Sequence, residues 1–477
     1  MSRDAGDLLT NAGEEPLSSG HAWRLKLRCR GMTGLGGSTR GRLSDRAASY
    51  GGSSPVAAGL LGKGAELLSQ ALLLTAVPSV LGPANYGDFA VAFSVVSVAS
   101  ASMAIGGPAV MTRFVPAAAP DDRDAVARAL VARLARWRAA QMAVIVCAGT
   151  VLAAVAPDTF SPLFTILVVV AIACDAAATL VFQASLGFGH ARLWSFRSSL
   201  QNVVLVGAAI ALFSVFGRAG AVAAIPVAST VALALGARVV VPRLRAAPRG
   251  GQIPTGALRF GAIQAMCGVL VQIQERGGVV AVAVLGGSRI ETGFASIAIG
   301  VALAPVWAVR QAFNVQLPGL VEQMGRAGAG AEAITRRTAR RLELALVPIA
   351  VIGAIWSEDL VSLVLGDRFR GAAGALSVAL ASLPLAPPIA LGAQVAALRL
   401  RPEARLKALA AGTAAFLVVA AATIPGSGAT GAAIALLAGA GVTLAGLALT
   451  VPGLLGLRRA MFSAAAVALV LAAGMLS

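Results

Sequence analysis

Charged and amide side chains interrupt segments that are otherwise apolar, and their spacing gathers them into stripes. Lys63, Glu66 and Gln70 fall at i, i+3 and i+7 of one segment, which is one face of a helix. In another segment Gln264, Gly268, Gln272 and Glu275 share about a quarter-turn at roughly 100° per residue, with Arg276 beside them. Arg310 and Asn314 follow at i, i+4, and Arg113, Arg197 and Gln201 complete the set. A charge at a bilayer centre costs roughly 2.5–3.5 kcal/mol on insertion scales, so each of these needs a reason. Polar stripes with more Arg than acid suggest a wet, cationic cavity.

Each group also has a plainer reading. Lys63 and Glu66 either neutralise one another or face the cavity. Arg197 and Arg259 lie near segment ends and are expected to snorkel. Arg276 and Arg310 lie deeper and are expected to line the cavity. Asp175, a lone acid, is either a coupling-ion site or a structural hydrogen-bond acceptor for a neighbouring helix. Catalysis finds little support. The two histidines, His21 and His190, are far apart in sequence, and no metal-ligand cluster, Ser/His/Asp set or phosphate-cradling loop is present. The expectation is a non-enzyme with no catalytic residue, no metal and no cofactor.

The elements that must position these residues are helices. The chain is 57% hydrophobic with a mean hydropathy of +0.82, far from an ordinary soluble domain. Apolar segments near the length that spans a bilayer recur along it, with no alternation that would suggest a barrel. They run at 56–81, 88–115, 139–156, 162–186, 194–216, 219–241, 256–286, 294–317, 342–356, 371–398, 406–424 and 429–452. A shorter thirteenth lies at 460–476. The fold class is therefore an all-α integral membrane protein of twelve, or with the last segment thirteen, transmembrane helices.

A net charge of +18 would in a soluble protein suggest nucleic acid. Here the basic residues cluster before the first segment and after every second one, as at Arg123–Arg136, Arg243–Arg249, Arg336–Arg341 and Arg399–Lys407. That is the positive-inside pattern; it excludes a nucleic-acid partner as the reason for the charge and places the amino terminus in the cytoplasm. Basic segments at 117–138 and 319–341 have helical periodicity, with Val126, Leu130, Leu134 and Trp137 recurring every three or four residues, and are expected to lie at the inner interface. Four cysteines, Cys29, Cys147, Cys174 and Cys267, make no disulfide framework. Residues 1–54 form a basic, Gly/Ser-rich tail, expected to be disordered and to touch anionic lipid heads. Pro384, Pro387 and Pro388 should kink the tenth helix, while Gly106-Gly107-Pro108 should loosen the second and Pro305 the eighth. The longest outer loop, 357–370, is too small for a folded module.

The chain also repeats itself. LGPANYGDFAVA from Leu81 is echoed about 204 residues later by LGGSRIETGFASIA from Leu285, and the same offset carries Gln70 onto Gln274. This divides the chain into an amino-terminal lobe (55–244), a linker (245–255) and a carboxy-terminal lobe (256–452), two pseudo-symmetric six-helix lobes around a central cavity. Transporters place substrates where such repeats meet.

With GGPAVMTRFVP after the second helix, QERGGVVAVAVLGGSRIETGFASIAIG in the seventh and eighth, and LGDRFRGAAGALSVA before the tenth, the chain resembles the polysaccharide-transporter or O-antigen-type flippase family. That family belongs to the multidrug/oligosaccharidyl-lipid/polysaccharide (MOP) exporter superfamily. The resemblance spans about residues 55–450 and rests on the order and spacing of these stretches. It implies two lobes arranged as a V and export of polyprenyl-diphosphate-linked glycans. Arg113 falls where the family often has an arginine, and Glu275-Arg276 where it often has a polar or acidic pair; Val80 stands where an arginine is usual.

The resulting expectation is an inner-membrane flippase of polyprenyl-diphosphate-linked oligosaccharide for O-antigen, capsule or exopolysaccharide synthesis. Its cavity candidates are Lys63, Glu66, Gln70, Arg113, Gln272, Glu275, Arg276, Arg310 and Asn314, with Asp175 as the coupling-ion candidate. Its partners would be the anionic lipid-linked glycan, membrane lipids and a glycan polymerase or assembly proteins. The alternatives are a cation-coupled drug antiporter, a lipid II flippase and a membrane glycan polymerase.

Overall fold

Lipid cannot satisfy open backbone groups, so apolar segments of this length must close their hydrogen bonds internally. The computed structural model describes residues 55–155, 160–324, 328–399, 401–451, 453 and 457–475, and among them it contains helices and no strand. The helices are α1 (Pro55–Met103), α2 (Gly107–Phe114), α3 (Arg123–Val155), α4 (Pro162–Gly187), α5 (Ala191–Ala246), α6 (Ala257–Val284), α7 (Arg289–Met324), α8 (Gly328–Ile355), α9 (Ser357–Leu365), α10 (Ala373–Leu380), α11 (Ala386–Leu398), α12 (Pro402–Thr450) and α13 (Leu457–Gly474). The tail at 1–54 and the side chains of Lys63 and Asn314 lie outside the described residues.

Among the described residues, eight helices are long and apolar enough to cross a membrane, or nine if α8 and α9, bent 79° apart, form one span. The protein is thus a multi-pass membrane protein. Three of the eight, at 51, 54 and 49 residues, are far longer than the ~20 residues that a crossing needs. Each contains a glycine with non-helical angles: Gly82 (φ 72°), Gly217 (φ 55°) and Gly428 (φ 51°). Such positive φ is open to glycine at little steric cost.

At these glycines the chain folds back. Gln201 and Ser229 on the two legs of α5 are hydrogen-bonded at 3.0 Å. Gln274 of α6 donates to both Thr413 (3.0 Å) and Thr443 (3.3 Å) on the two legs of α12. In a straight helix, residues 30 apart would be ~45 Å distant.

The main core gathers Val77, Phe89, Ile172, Ile299, Phe369 and Phe416. α4 packs on α5, and α6 on α12. α2 is set off by a break at which Ile105 (φ 47°) and Gly106 (φ 60°) are left-handed, as the Gly-Gly-Pro run led one to expect. The tenth segment is likewise broken at its prolines into α10, a 3-10 turn at Leu383–Leu385, and α11.

Other expectations are corrected. The 117–138 segment is not a separate interfacial helix. From Arg123 it continues without interruption into the next span as α3, and its apolar face, with Leu130 and Leu134 fully buried, packs on Val110 and Met111. Burial against protein removes that face from lipid. Residues 357–370 are not a loop but α9 and most of a 3-10 turn at Asp367–Ala372. The thirteenth segment does form a helix, α13, anchored to buried Glu343 of α8 by Arg459 (3.1 Å) and Ser463 (2.8 Å); its apolar part, Arg459–Gly474, falls short of the other spans.

Candidate functional site

A cavity of about 1130 Å³ opens among α2, α6, α7, α11 and α12. Its charged lining consists of Arg113, Arg259, Arg310 and Arg405 against Glu275 and Glu403. Arg113 ends α2, and its guanidinium lies 4.8 Å from the Phe260 ring centre, a cation–π geometry that holds the charge in place. The remaining walls are mainly apolar, including Ile389, Leu436 and Leu447.

A second cavity, about 470 Å³, is lined by Glu66, Asp175 and Glu275 and by Arg197, Arg276 and Arg310, with Gln70 and Gln272 beside them. The structure therefore brings most of the sequence candidates together here, but with three carboxylates against three guanidiniums. The cationic excess lies in the larger cavity, where four arginines meet two glutamates. Arg259 and Arg405 were not among the cavity candidates. Arg259 read as a snorkelling side chain, and Arg405 as one more basic residue after a span.

Glu275 and Arg310 line both cavities and form an ion pair between them. Trp307 and Arg310 are i, i+3 on α7 and so share a face; the Trp307 Nε1 donates to the other Glu275 oxygen at 3.2 Å. Glu275 itself is buried. Arg276, the next residue, points elsewhere: its guanidinium lies 5.1 Å from the Phe93 ring centre and 5.3 Å from that of Trp307. It also lines a small space of about 30 Å³ with Gln70, Tyr86 and Ser296, where Tyr86 and Ser296 are hydrogen-bonded at 3.2 Å.

Asp175 accepts from Arg197 (3.0 Å) and Gln201 (2.8 Å). This corrects the snorkelling expectation for Arg197, whose guanidinium turns inward because a buried carboxylate needs a cation. It also gives Asp175 the bond to a neighbouring helix that was the alternative to an ion site.

Arg138, within the basic run Arg136-Trp137-Arg138, is buried rather than at the surface. It donates to the Met103 carbonyl (2.7 Å), the Ala176 carbonyl (2.6 Å) and Gln183 Oε1 (2.6 Å), the first of which lies at the α1–α2 break. His190 lies in the turn before α5, where burial and nearby Arg243 push its imidazole below the usual range. Among the described residues no group of three His, Cys, Asp or Glu could hold a metal.

No family model matches the chain, and no curated protein does. Solved structures do. The lipid II flippase MurJ in an inward closed conformation is similar over 87% of this chain and 92% of its own, with 10% identity and a TM-score of 0.64. An inward-facing multidrug-resistance MATE family transporter of the MOP superfamily matches over 85% and 95%, with 14% identity and a TM-score of 0.59. A MATE transporter in complex with MaD5 matches over 87% and 96%, at 16% identity and a TM-score of 0.51. At these identities the likeness establishes a shared fold and nothing finer.

Proposed function

We propose that this protein is a flippase that carries a lipid-linked anionic glycan, of the polyprenyl-diphosphate class, across the inner membrane for surface or exported polysaccharide. The observation that carries this reading is the larger cavity, with four arginines against two glutamates on largely apolar walls. Such a surface favours an anionic head and repels cationic drugs. The glycan would cross in water, the diphosphate would offset the arginine charge, and the lipid tail would stay in the bilayer.

The spans would number twelve. Each of the three folded-back helices supplies two legs, and α8 with α9 forms one bent span. They would form two lobes, 55–244 and 256–452, that rock in alternating access, with the amino terminus in the cytoplasm. With a negative interior, each negative charge moving outward gains roughly 2.3 kcal/mol per 100 mV. The protein performs no bond chemistry in this reading.

Two observations favour other cargoes. The likeness to MurJ supports a lipid II flippase, and the likeness to MATE transporters supports a drug antiporter. Deleting the gene separates the three. The expected result is loss of a surface or exported polysaccharide, lipid-linked intermediate held on the inner leaflet, and unchanged efflux of cationic dyes. Normal glycan with failed dye efflux would establish the antiporter. Arrested wall synthesis with normal polysaccharide would establish the lipid II flippase.

A further inference from the structure

Resting on the anionic-substrate reading above, a second layer of the site concerns how an arriving anion is registered. Glu275 has one oxygen on Arg310 and the other on Trp307, both from the same face of α7. The pair is lopsided: the Arg310 side chain is 37% exposed, that of Glu275 only 4%. The guanidinium can therefore meet an anion in the larger cavity while the carboxylate stays behind it. A buried carboxylate stripped of its cation is strongly destabilised, so it moves only if another cation is within reach. Arg276 is the adjacent residue, and among the described residues it makes no hydrogen bond or ion pair. One indole touches both groups: Trp307 gives its N–H to Glu275 and its ring face to Arg276.

We propose that Glu275 is an internal counter-ion which a substrate phosphate displaces from Arg310, and that the freed carboxylate is taken up by Arg276 across Trp307. Glu275 thus acts as a positioning residue through Arg310. In the empty carrier it neutralises the guanidinium. When an anion takes its place, the partition between the two cavities loses its ion pair and is free to rearrange. The site accordingly selects phosphate or diphosphate over neutral lipids, because only an anion can replace a carboxylate on Arg310. Binding and rearrangement are linked by the differential affinity of the two states.

The test measures binding of inorganic pyrophosphate and of farnesyl diphosphate to the purified full chain by calorimetry at one salt concentration. Removing a competitor worth about 1.4 kcal/mol changes affinity about tenfold. Glu275→Gln should therefore bind both probes about tenfold tighter than the wild type while losing export, and Arg310→Gln should lose binding. A residue with a merely structural role would weaken binding when replaced. Trp307→Phe keeps the ring over Arg276 but removes the N–H bond, so it should tighten binding by a smaller factor; it carries the test if Glu275→Gln does not elute as a single species. Equal or weaker binding by these variants, with binding by the wild type intact, overturns the exchange but leaves the anionic substrate standing. No binding of either probe by any form overturns the anionic substrate itself, and the exchange with it. Equal affinity for the two probes assigns the site to free phosphate, overturning the lipid-linked cargo while the exchange stands.

Discussion

Gly87 and Gly293 face each other where α1 crosses α7. A Cβ on Gly87 would stand 2.0 Å from the Arg289 carbonyl oxygen, and one on Gly293 2.3 Å from that of Pro83. The two helices touch backbone to backbone, the close approach that small residues permit in membranes. Gly87→Ala should force them apart, and overpacking of this kind costs about 1–3 kcal/mol. Thermal unfolding in detergent should show a lower midpoint for Gly87→Ala. Gly441→Ala is the control, since a Cβ there meets nothing within 4 Å; an unchanged Gly87→Ala midpoint would show that the crossing yields freely.

Beside this crossing, Asp88 of α1 holds Arg218 of α5 (2.6 Å) and Arg289 of α7 (3.6 Å). One carboxylate thus ties three helices at this end of the bundle. Asp88→Asn should loosen that end. A cysteine replacing buried Ser296, in a chain freed of its own cysteines, should react with a thiol reagent faster in the Asp88→Asn background. Equal rates would mean that the glycine contact alone keeps the end shut.

Arg113 and Arg405 line the larger cavity and, among the described residues, form no ion pair of the kind that Arg310 has. Replacing either with Ala should reduce glycan export sharply while protein abundance stays near normal. Arg113→Lys should restore export only in part, because an ammonium lacks the planar guanidinium that stacks on Phe260. Full export by Arg113→Ala and Arg405→Ala would remove the cavity's charge as the basis of recognition.

Arg138→Met should be the most damaging single change outside the cavities. It would strand the Met103 carbonyl at the end of α1 and Gln183 Oε1, both now served by one guanidinium. A buried acceptor left without a donor costs about 1–3 kcal/mol. Accumulation in the membrane and the unfolding midpoint should both fall. Preservation of both would show that the α1–α2 break holds itself.

Much of the fold was legible in the sequence because hydropathy reads directly as helices in lipid. The segment boundaries at Leu81, Phe216 and Gly286 fall within a residue or two of the observed breaks. Polar stripes likewise marked Glu66, Gln70, Gln272, Glu275, Arg276 and Arg310, all of which line the smaller cavity. What stayed hidden was pairing. Glu275 and Arg310 are 35 residues apart, and which of Arg276 or Arg310 the carboxylate takes depends on helix rotation that periodicity alone does not fix. Arg259, Arg405 and Arg138 were masked for another reason: each lies among the basic residues that orient the chain, and the same residue type serves orientation, recognition and burial.

The single-glycine turns at Gly82, Gly217 and Gly428 also determine what the molecule shows to its surroundings. Where two legs meet at one residue, there is almost no loop to protrude. That end of the bundle offers a protease little extended chain to cut, and an antibody or phage little relief to grip. Affinity reagents raised against the protein should therefore select other faces, and epitope tags inserted at these three glycines should break the hairpins instead of displaying the tag.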